Sequence, residues 1–525
     1  MSIPLTNRHE YAHDSFITDK KQIIILMKKI LLLLLFPLFV SAQDKEFADK
    51  SSKIDLYVDQ LLADWNIPGL ALVIVHKDRV IYSKGYGYRD LENKLPVTES
   101  TLFPIASNTK LFTATLAAEL AAEGKLSLDV PVKQYLPGIN FSNPELNFKV
   151  TLRDMLSHRT GLPAYDGIWL NAPFKRKELI SKIYYMKPAL GFREGYIYNN
   201  NMYTTAGIAI EEVSQKSWEQ NIQERIFDPL EMNSSGFTGI GAKPDNHSLS
   251  YFESEDNKKL KARTFLAQSE SLAPAGNIYS NMADMSKWLI LQVNGGKYKG
   301  KQVISAAAIE ETKIPNAISD KRGRYDELSN SLYAMGRILQ TYKGTKFISH
   351  TGSIDGFYSN LSYLPKDSLA LFIVHNAVSA GSLRSVMNLP IIDILQSREI
   401  TDWSSRYRKD YLDAQERDKK SVDEINASQV KNTYPSHPAL AYTGKFTHPV
   451  YGDILIDFKN NNLQLQYRSL NATLHHWHYD QFITMDDGKG FPDMRISFLT
   501  NDKGEIDKIV TRPFGDPQTE FIRAK

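Results

Sequence analysis

Ser107 and Lys110 stand three residues apart at the head of an apolar run, and that spacing is where this sequence first offers chemistry. The stretch Phe103-Pro-Ile-Ala-Ser-Asn-Thr-Lys110 is followed by Leu111, Phe112, Leu116, Ala117, Leu120 and Ala121 at helical spacing, until Gly124 stops the run. A serine in the first turn of such a helix has a backbone N–H that the helix does not use. It also sits at the positive end of the helix dipole, where a developing oxyanion is stabilised. Lys110 lies one turn further along the same face, so its amine can approach the Ser107 hydroxyl. Once buried, that amine loses part of its charge and can take the hydroxyl proton. The same residues also fit a capping serine beside a solvated lysine, because serine is a preferred N-cap. A second Ser-x-x-Lys spacing, Ser428 to Lys431, lies in a polar stretch with no apolar helix behind it and is set aside.

Three further stretches carry reactive side chains. In Gly195-Tyr-Ile-Tyr198-Asn199-Asn200, Tyr198 buried beside a cationic amine could act as a phenolate-like base, and Asn200 could bond substrate and lysine alike. In Lys346-Phe-Ile-Ser-His350-Thr351-Gly352-Ser353, a strand carrying His350, Thr351 and Gly352 could flank the nucleophile, with Gly352 letting a ligand come close to the backbone. His158, at the end of Thr151-Leu-Arg-Asp-Met-Leu-Ser-His158, is either a base or a helix-end residue that caps or packs.

Positioning these residues falls to a mixed chain. Residues 45–65 read as an amphipathic helix ending at Asn66-Ile-Pro68, and Gly69–Val75 with Arg79–Tyr82 read as a hairpin across His76-Lys-Asp78. Tyr86–Asp90 continues the strand character, so an antiparallel sheet opens the domain. The stretch 174–240 reads as mostly helical, with Tyr203–Val213 its best apolar helix. Ala273-Pro-Ala-Gly276-Asn-Ile-Tyr-Ser280 leads into a helix through Met285, Trp288 and Leu289, and Asn360–Leu364 and Ala370–Val374 read as strands.

Composition excludes several classes. The chain has 525 residues, 42% hydrophobic and 23% charged, which is ordinary for a globular protein of two or three domains. Its formal net charge of +3, without a long basic block, argues against nucleic-acid binding. The absence of cysteine excludes disulfides, thiolate catalysis and thiolate zinc sites. Met27-Lys-Lys29, the apolar run Ile30–Val40 and Val40-Ser-Ala42 have the pattern of an export signal, so cleavage after residue 42 and a periplasmic or secreted location are expected. That apolar run is too short for a stable membrane span, which needs about 20 residues. Residues 1–26 add nothing signal-like, and Met27 is the expected start; an uncleaved anchor from near Ile23 is the alternative, interrupted by Lys28 and Lys29.

Taken together and in this order, Ser107-Asn-Thr-Lys110, Tyr198-Asn-Asn200 and His350-Thr-Gly352, with His158-Arg-Thr-Gly-Leu-Pro163 and Ala273-Pro-Ala-Gly276, closely resemble the penicillin-recognising serine hydrolases. That family includes class C β-lactamases, low-molecular-weight penicillin-binding proteins, D-aminopeptidases and related esterases. The resemblance covers residues 50–395. It implies an α/β (α+β) fold: a central antiparallel sheet flanked by helices, with an inserted all-α region and the active site between them. It implies acylation of Ser107, proton exchange by Lys110 and Tyr198, and substrate positioning by Asn200. His350 and Thr351 would line the opposite wall beside Gly352, and the N–H groups of Ser107 and Ser353 would form an oxyanion hole.

One departure shifts the expected substrate. The third motif begins with His350, where β-lactamases and many transpeptidases have lysine, and histidine is mostly neutral at pH 7. The expectation is therefore an exported serine hydrolase of peptides, amides or esters; β-lactam hydrolysis and a non-catalytic binding protein on the same fold are the alternatives. No cofactor or metal is expected, and the partners are a small-molecule or peptide substrate, with an oligomer possible.

The domain plan is a leader over 1–42, the hydrolase over 43–395, a charged helix and linker over 396–437, and a small antiparallel barrel over 438–525. The barrel is read from Gly444–Phe446, Ile454–Phe458, Leu463–Tyr467, Phe482–Met485, Met494–Phe498 and Ile506–Thr511, separated by turn residues. It resembles the lipocalin-like C-terminal domain of some such hydrolases, and restricting access to Ser107, mediating assembly and binding an apolar ligand are its open roles. His475, His476 and His478 suggest a metal, yet strand alternation puts His476 and His478 on one face and His475 with Trp477 on the other, so packing or polar lining is the default.

Overall fold

A computed structural model describes residues 48–169, 172–238, 245–254, 259–263, 270–321, 325–484 and 494–525; the leader 1–42 and the end of the Phe482–Met485 strand reading lie outside them. The chain divides into two compact units, Met1–Gln60 with Ile391–Thr401, and Leu61–Pro390 with Asp402–Lys525. In the smaller unit, where helix α1 (48–65) begins, Lys50 Nζ donates to the Leu395 carbonyl at 3.0 Å and the Thr401 N–H to Asp393 Oδ2 at 3.1 Å. Everything that positions the site lies in the larger unit.

Its main sheet has nine strands: β1 (Gly69–His76), β2 (Arg79–Asp90), β3 (Leu95–Pro96), β4 (Ala317–Asp320), β5 (Ser331–Tyr333), β6 (Ile338–Tyr342), β7 (Thr345–Ile354), β8 (Phe357–Leu364) and β9 (Leu369–His375). They run in the order β4-β5-β6-β7-β8-β9-β1-β2-β3, with antiparallel neighbours throughout. Every side chain of β1 from Leu70 to Val75 is buried, so an unbroken apolar run forms the strand where the first hairpin meets the last strand of the sheet. The expected hairpin and the strands at 360–364 and 370–374 are present. Strands β4–β6 are additional, being short and half polar.

Helices α2 (Thr109–Ala122), α3 (Asn200–Ser214) and α4 (Met282–Val293) are built around the apolar positions that the sequence shows. Helix α2 is buried on nearly all sides, from Thr109 through Ala118 and at Leu120. Its buried hydroxyls have partners: Thr113 donates to the Pro274 carbonyl at 2.6 Å and accepts from Trp218 Nε1 at 3.1 Å, while Thr115 accepts from Arg337 at 3.3 Å. The inserted region is less helical than expected. Between Lys182 and α3 there is only a short 3-10 turn, Ile183–Tyr185, because Pro188, Gly191 and Gly195 break any longer helix.

Helix α5 (Trp403–Ala427) precedes a closed barrel of eight strands: β10 (Gly444–His448), β11 (Gly452–Lys459), β12 (Asn462–Tyr467), β13 (Leu470–His478), β14 (Gln481–Ile483), β15 (Arg495–Thr500), β16 (Ile506–Thr511) and β17 (Thr519–Arg523). Pairing of β17 with β10 closes it. Phe446, Ile456, Leu465, Ile496, Ile509 and Phe521 are among its buried side chains, so the barrel has a packed core of its own. The histidine alternation is corrected: the register shifts between His476 and His478, leaving His475 and His476 both exposed and Trp477 buried.

Gly352 in β7 is the closest fit between sheet and site. A Cβ there would lie 2.3 Å from the Ile105 carbonyl oxygen and 3.1 Å from Ala106 Cβ, so the chain that approaches this glycine is the segment leading into Ser107. The approach that requires a glycine here is thus made by the protein's own backbone. Gly352→Ala is expected to destabilise the fold by about 1–3 kcal/mol, as overpacked core positions do, which chemical denaturation measures directly.

Candidate active site

Ser107 sits in a 3-10 turn, Ala106–Asn108, that runs straight into α2. The residue before it, Ala106, has φ 51°, a left-handed conformation that costs a non-glycine residue about 1–2 kcal/mol. The surroundings fix it. Ser359 of β8 donates to the Ile105 carbonyl at 2.9 Å and accepts from Asn108 Nδ2 at 2.8 Å. The Ile105 N–H donates to the Ile278 carbonyl at 2.9 Å, and Thr109 Oγ1 accepts from the Ile278 N–H at 3.1 Å.

Lys110 is fully buried, and its amine has three partners: Ser107 Oγ at 3.1 Å, Asn200 Oδ1 at 2.7 Å and the Ala275 carbonyl at 2.7 Å. It also lies 4.8 Å from the centre of the Tyr198 ring and 5.3 Å from that of Tyr203. The solvated-lysine alternative is thereby removed. Burial pushes the amine well below the ordinary lysine value, with the charge of Asp166 acting in the opposite direction. Tyr198 is half-buried by surface, but its hydroxyl is enclosed and bonded to Ser107. Burial drives that phenol well above its ordinary value, so it rests as the neutral acid.

Asn199 and Asn200 start α3 and have separate tasks. Asn199 caps the helix by accepting from the Met202 N–H at 3.0 Å, and its Nδ2 donates to the carbonyls of Leu162 and Pro163 at 3.2 and 2.6 Å. Asn200 turns the other way: Oδ1 accepts from Lys110, and Nδ2 donates to Asp166 Oδ1 at 2.9 Å. With an N–H donor of the lysine amine on one side and a carboxylate acceptor on the other, the amide has one permitted orientation.

His350 is buried at the far side of the same cluster. Its Nδ1–H donates to the Thr351 carbonyl at 2.6 Å, which leaves Nε2 to accept from the Tyr333 hydroxyl at 3.0 Å. Burial, then the nearby Lys110 charge, brings its pKa down to about 3, so the ring is neutral. Thr351 is half-buried and Ser353 exposed; the Ser353 hydroxyl meets that of Tyr358, and no contact among the described residues joins either side chain to the Ser107–Lys110–Tyr198 cluster. What β7 brings beside Ser107 is the His350 ring, the bare Cα of Gly352 and the strand backbone past the end of β6.

His158 packs, as the second of its two readings has it. It sits at φ 58° with Nδ1 accepting from the Asn199 N–H at 3.1 Å, and its ring lies 4.3 Å from that of Tyr198 and 4.9 Å from that of Tyr333, centre to centre. Asp166, Tyr333, Ser359 and the Ala275 carbonyl are the site residues that sequence reasoning missed. Only Ala275 lies in a quoted motif, and a backbone acceptor has no side-chain signature. Among the described residues no group of three or more His, Cys, Asp or Glu side chains could hold a metal ion, and the exposed His475 and His476 form none.

Comparison with known proteins decides the family. The family model described as Beta-lactamase matches residues 54–396. The chain belongs to the beta-lactamase family. Membership makes it a serine hydrolase, and residues 428–523, which hold the barrel, match a domain of unknown function, DUF3471. The chain is 27% identical over 435 residues to an unguisins hydrolase of Aspergillus campestris, covering 79% of this chain and 77% of that protein. The octameric penicillin-binding protein homologue of Pyrococcus abyssi superposes with a TM-score of 0.59 at 21% identity, over 90% of this chain and all of the other. The D-amino acid amidase of Ochrobactrum anthropi SV3 superposes with a TM-score of 0.55 at 22% identity, over 66% of this chain and 98% of the other. These structural likenesses are likenesses of fold. No helix among the described residues is long and apolar enough to cross a membrane.

The electrostatic arrangement makes a measurable statement about Lys110. Its pKa, followed by NMR of the lysine Nζ groups, is expected below the ordinary value of about 10.4. Because the Asp166 carboxylate raises it, Asp166→Asn should lower it further. A Lys110 that titrates like a solvated lysine contradicts the enclosed site.

Proposed function

We propose that the protein hydrolyses an amide or peptide bond through an acyl-enzyme at Ser107. Neutral Lys110 takes the Ser107 proton as Oγ attacks the carbonyl carbon, and the N–H groups of Ser107 and Ser353 receive the resulting oxyanion. Tyr198, a neutral phenol bonded to Ser107, donates its proton to the leaving amine and regains one from Lys110. Water then attacks the acyl-enzyme by the same steps in reverse, and Asn200 holds the lysine in place while presenting its amide to substrate. The observation that carries this reading is the enclosed Lys110 amine, 3.1 Å from Ser107 and, among the described residues, without a directly bonded carboxylate to keep it charged.

The amide class is supported by two lines. The Aspergillus relative is named a hydrolase of unguisins, and the Ochrobactrum amidase was solved with L-phenylalanine amide. Independently, the neutral His350 gives no fixed cation for a carboxylate beside the scissile bond. Substrates that lack such a carboxylate, such as amides, N-terminal residues of peptides and short esters, fit this wall better than a β-lactam. Export belongs to the same proposal and rests on the Met27–Ala42 pattern.

Intact mass after exposure to a fluorophosphonate should show one adduct on the parent protein and none on Ser107→Ala. Lys110→Ala should lower turnover of an amide by about 100-fold or more, as loss of a positioned base does. Amino acid amides of both hands, short esters and a penicillin, assayed side by side, set the substrate class. Fast penicillin turnover with inert amides would reverse the assignment. In addition, kcat/KM should climb with pH along a limb that belongs to Lys110, since only the deprotonated amine accepts the Ser107 proton; a flat profile contradicts the lysine base.

A further inference from the structure

Asp516 lies in the barrel, in the connection between β16 and β17, yet its carboxylate is used by the hydrolase domain. It is 6% exposed. Oδ1 accepts from the Asp166 N–H at 2.9 Å, and Oδ2 accepts from the Gly167 N–H at 2.8 Å and from the Tyr451 hydroxyl at 3.0 Å. Those two N–H groups open the 3-10 turn Asp166–Ile168. The residue at its N-cap position, Tyr165, is left-handed at φ 50° and supplies no side-chain cap. The cap comes instead from a residue 350 positions away in the chain. Tyr467 and Arg468, also of the barrel, each donate to the Gly167 carbonyl at 3.2 Å, so both ends of that peptide are held from the same domain.

The turn leads directly to the nucleophile. The Asp166 side chain accepts from Trp169 Nε1 at 2.7 Å and from Asn200 Nδ2 at 2.9 Å, and Asn200 Oδ1 accepts from Lys110. A continuous series of bonds therefore runs from Asp516 through the Asp166 backbone and carboxylate to the Asn200 amide, the Lys110 amine and Ser107. Asp166 also supplies the negative charge that raises the Lys110 pKa.

We propose that Asp516 is a positioning residue of the active site, by which the C-terminal barrel fixes the Asp166 turn and, through Asn200, the place and basicity of Lys110. This gives the barrel a task inside its own chain. It rests on the proposed roles of Ser107 and Lys110. The groups that face Asp516 are Asp166, Tyr165, Tyr451 and Tyr467, with Arg468 at the neighbouring Gly167 carbonyl. Asn in place of Asp516 keeps the volume but has one acceptor and one donor, so its NH2 must meet a backbone N–H of the turn.

The test is active-site labelling of full-length Asp516→Asn with a fluorophosphonate, which reads the number of competent molecules and their rate separately. The expected result is an undiminished labelled fraction, a phosphonylation rate lower by on the order of 10-fold or more, and a rate–pH limb displaced from that of the parent. A parent-like rate and limb overturns the proposal. So does a smaller labelled fraction reacting at the parent rate, which is the mark of a purely structural cap. Tyr451→Phe removes one donor to the same carboxylate and should change rate and limb in the same sense but less; it decides the matter if Asp516→Asn does not fold. A parent protein that is not labelled at Ser107 refutes the hydrolase reading itself, whereas a labelled parent with indifferent Asp516 and Tyr451 variants refutes only the role of the barrel.

Discussion

A lysine amine enclosed without bulk water cannot keep its charge at ordinary cost, and the arrangement of this site follows from how that amine is accommodated. Direct contact with a carboxylate would stabilise the cation and leave no base. Complete isolation from negative charge would leave a neutral amine without direction. Here the carboxylate whose charge reaches the amine, that of Asp166, is separated from Lys110 by the amide of Asn200, which transmits an orientation and only part of the field. The remaining two bonds of the amine go to a backbone carbonyl and to Ser107, so when it loses a proton its lone pair has one reactive partner.

That accommodation governs the packing around it. The three acceptors of Lys110 come from chain positions 107, 200 and 275, and only a core that fixes α2, α3 and the Ala273–Gly276 turn together can hold them within hydrogen-bonding distance. Helix α2 is buried on nearly every side for this reason, and its threonines and the buried Arg337 are bonded to neighbours rather than to solvent. The left-handed Ala106 is stable in the same sense: Ser359, Ile278 and the missing side chain of Gly352 leave the turn no other path.

Legibility in the sequence followed the distance over which each interaction acts. Ser107 with Lys110, and Tyr198 with Asn200, were readable because each pair lies within one turn of chain and keeps its company of apolar residues. The sheet core was readable where a strand is buried on both faces, as in Leu70–Val75. Strands β4–β6, β13 and β17 gave little signal, since their residues are polar or few and their pairing is set by neighbours in space. Gly352 was noticed for its bare Cα, but the backbone that comes against it, the Ile105 carbonyl, is one a sequence does not show. Ala275 acts through its carbonyl, and Asp166 and Asp516 through contacts 34 and 350 residues away, which no local pattern reports.

The His350 wall shows how such long-range partners alter what a motif can do. Read alone, a histidine at this place is a donor that substrate could use. In the folded protein Nδ1–H is engaged by the carbonyl of its own neighbour and Nε2 by Tyr333, and burial keeps the ring neutral. Neither nitrogen is left for substrate. The rings of His158 and Tyr333 beside it are fully buried as well, so of this aromatic group only Tyr198 is partly exposed, and on the proposed reading what this side offers a substrate is Tyr198 and the backbone edge of β7.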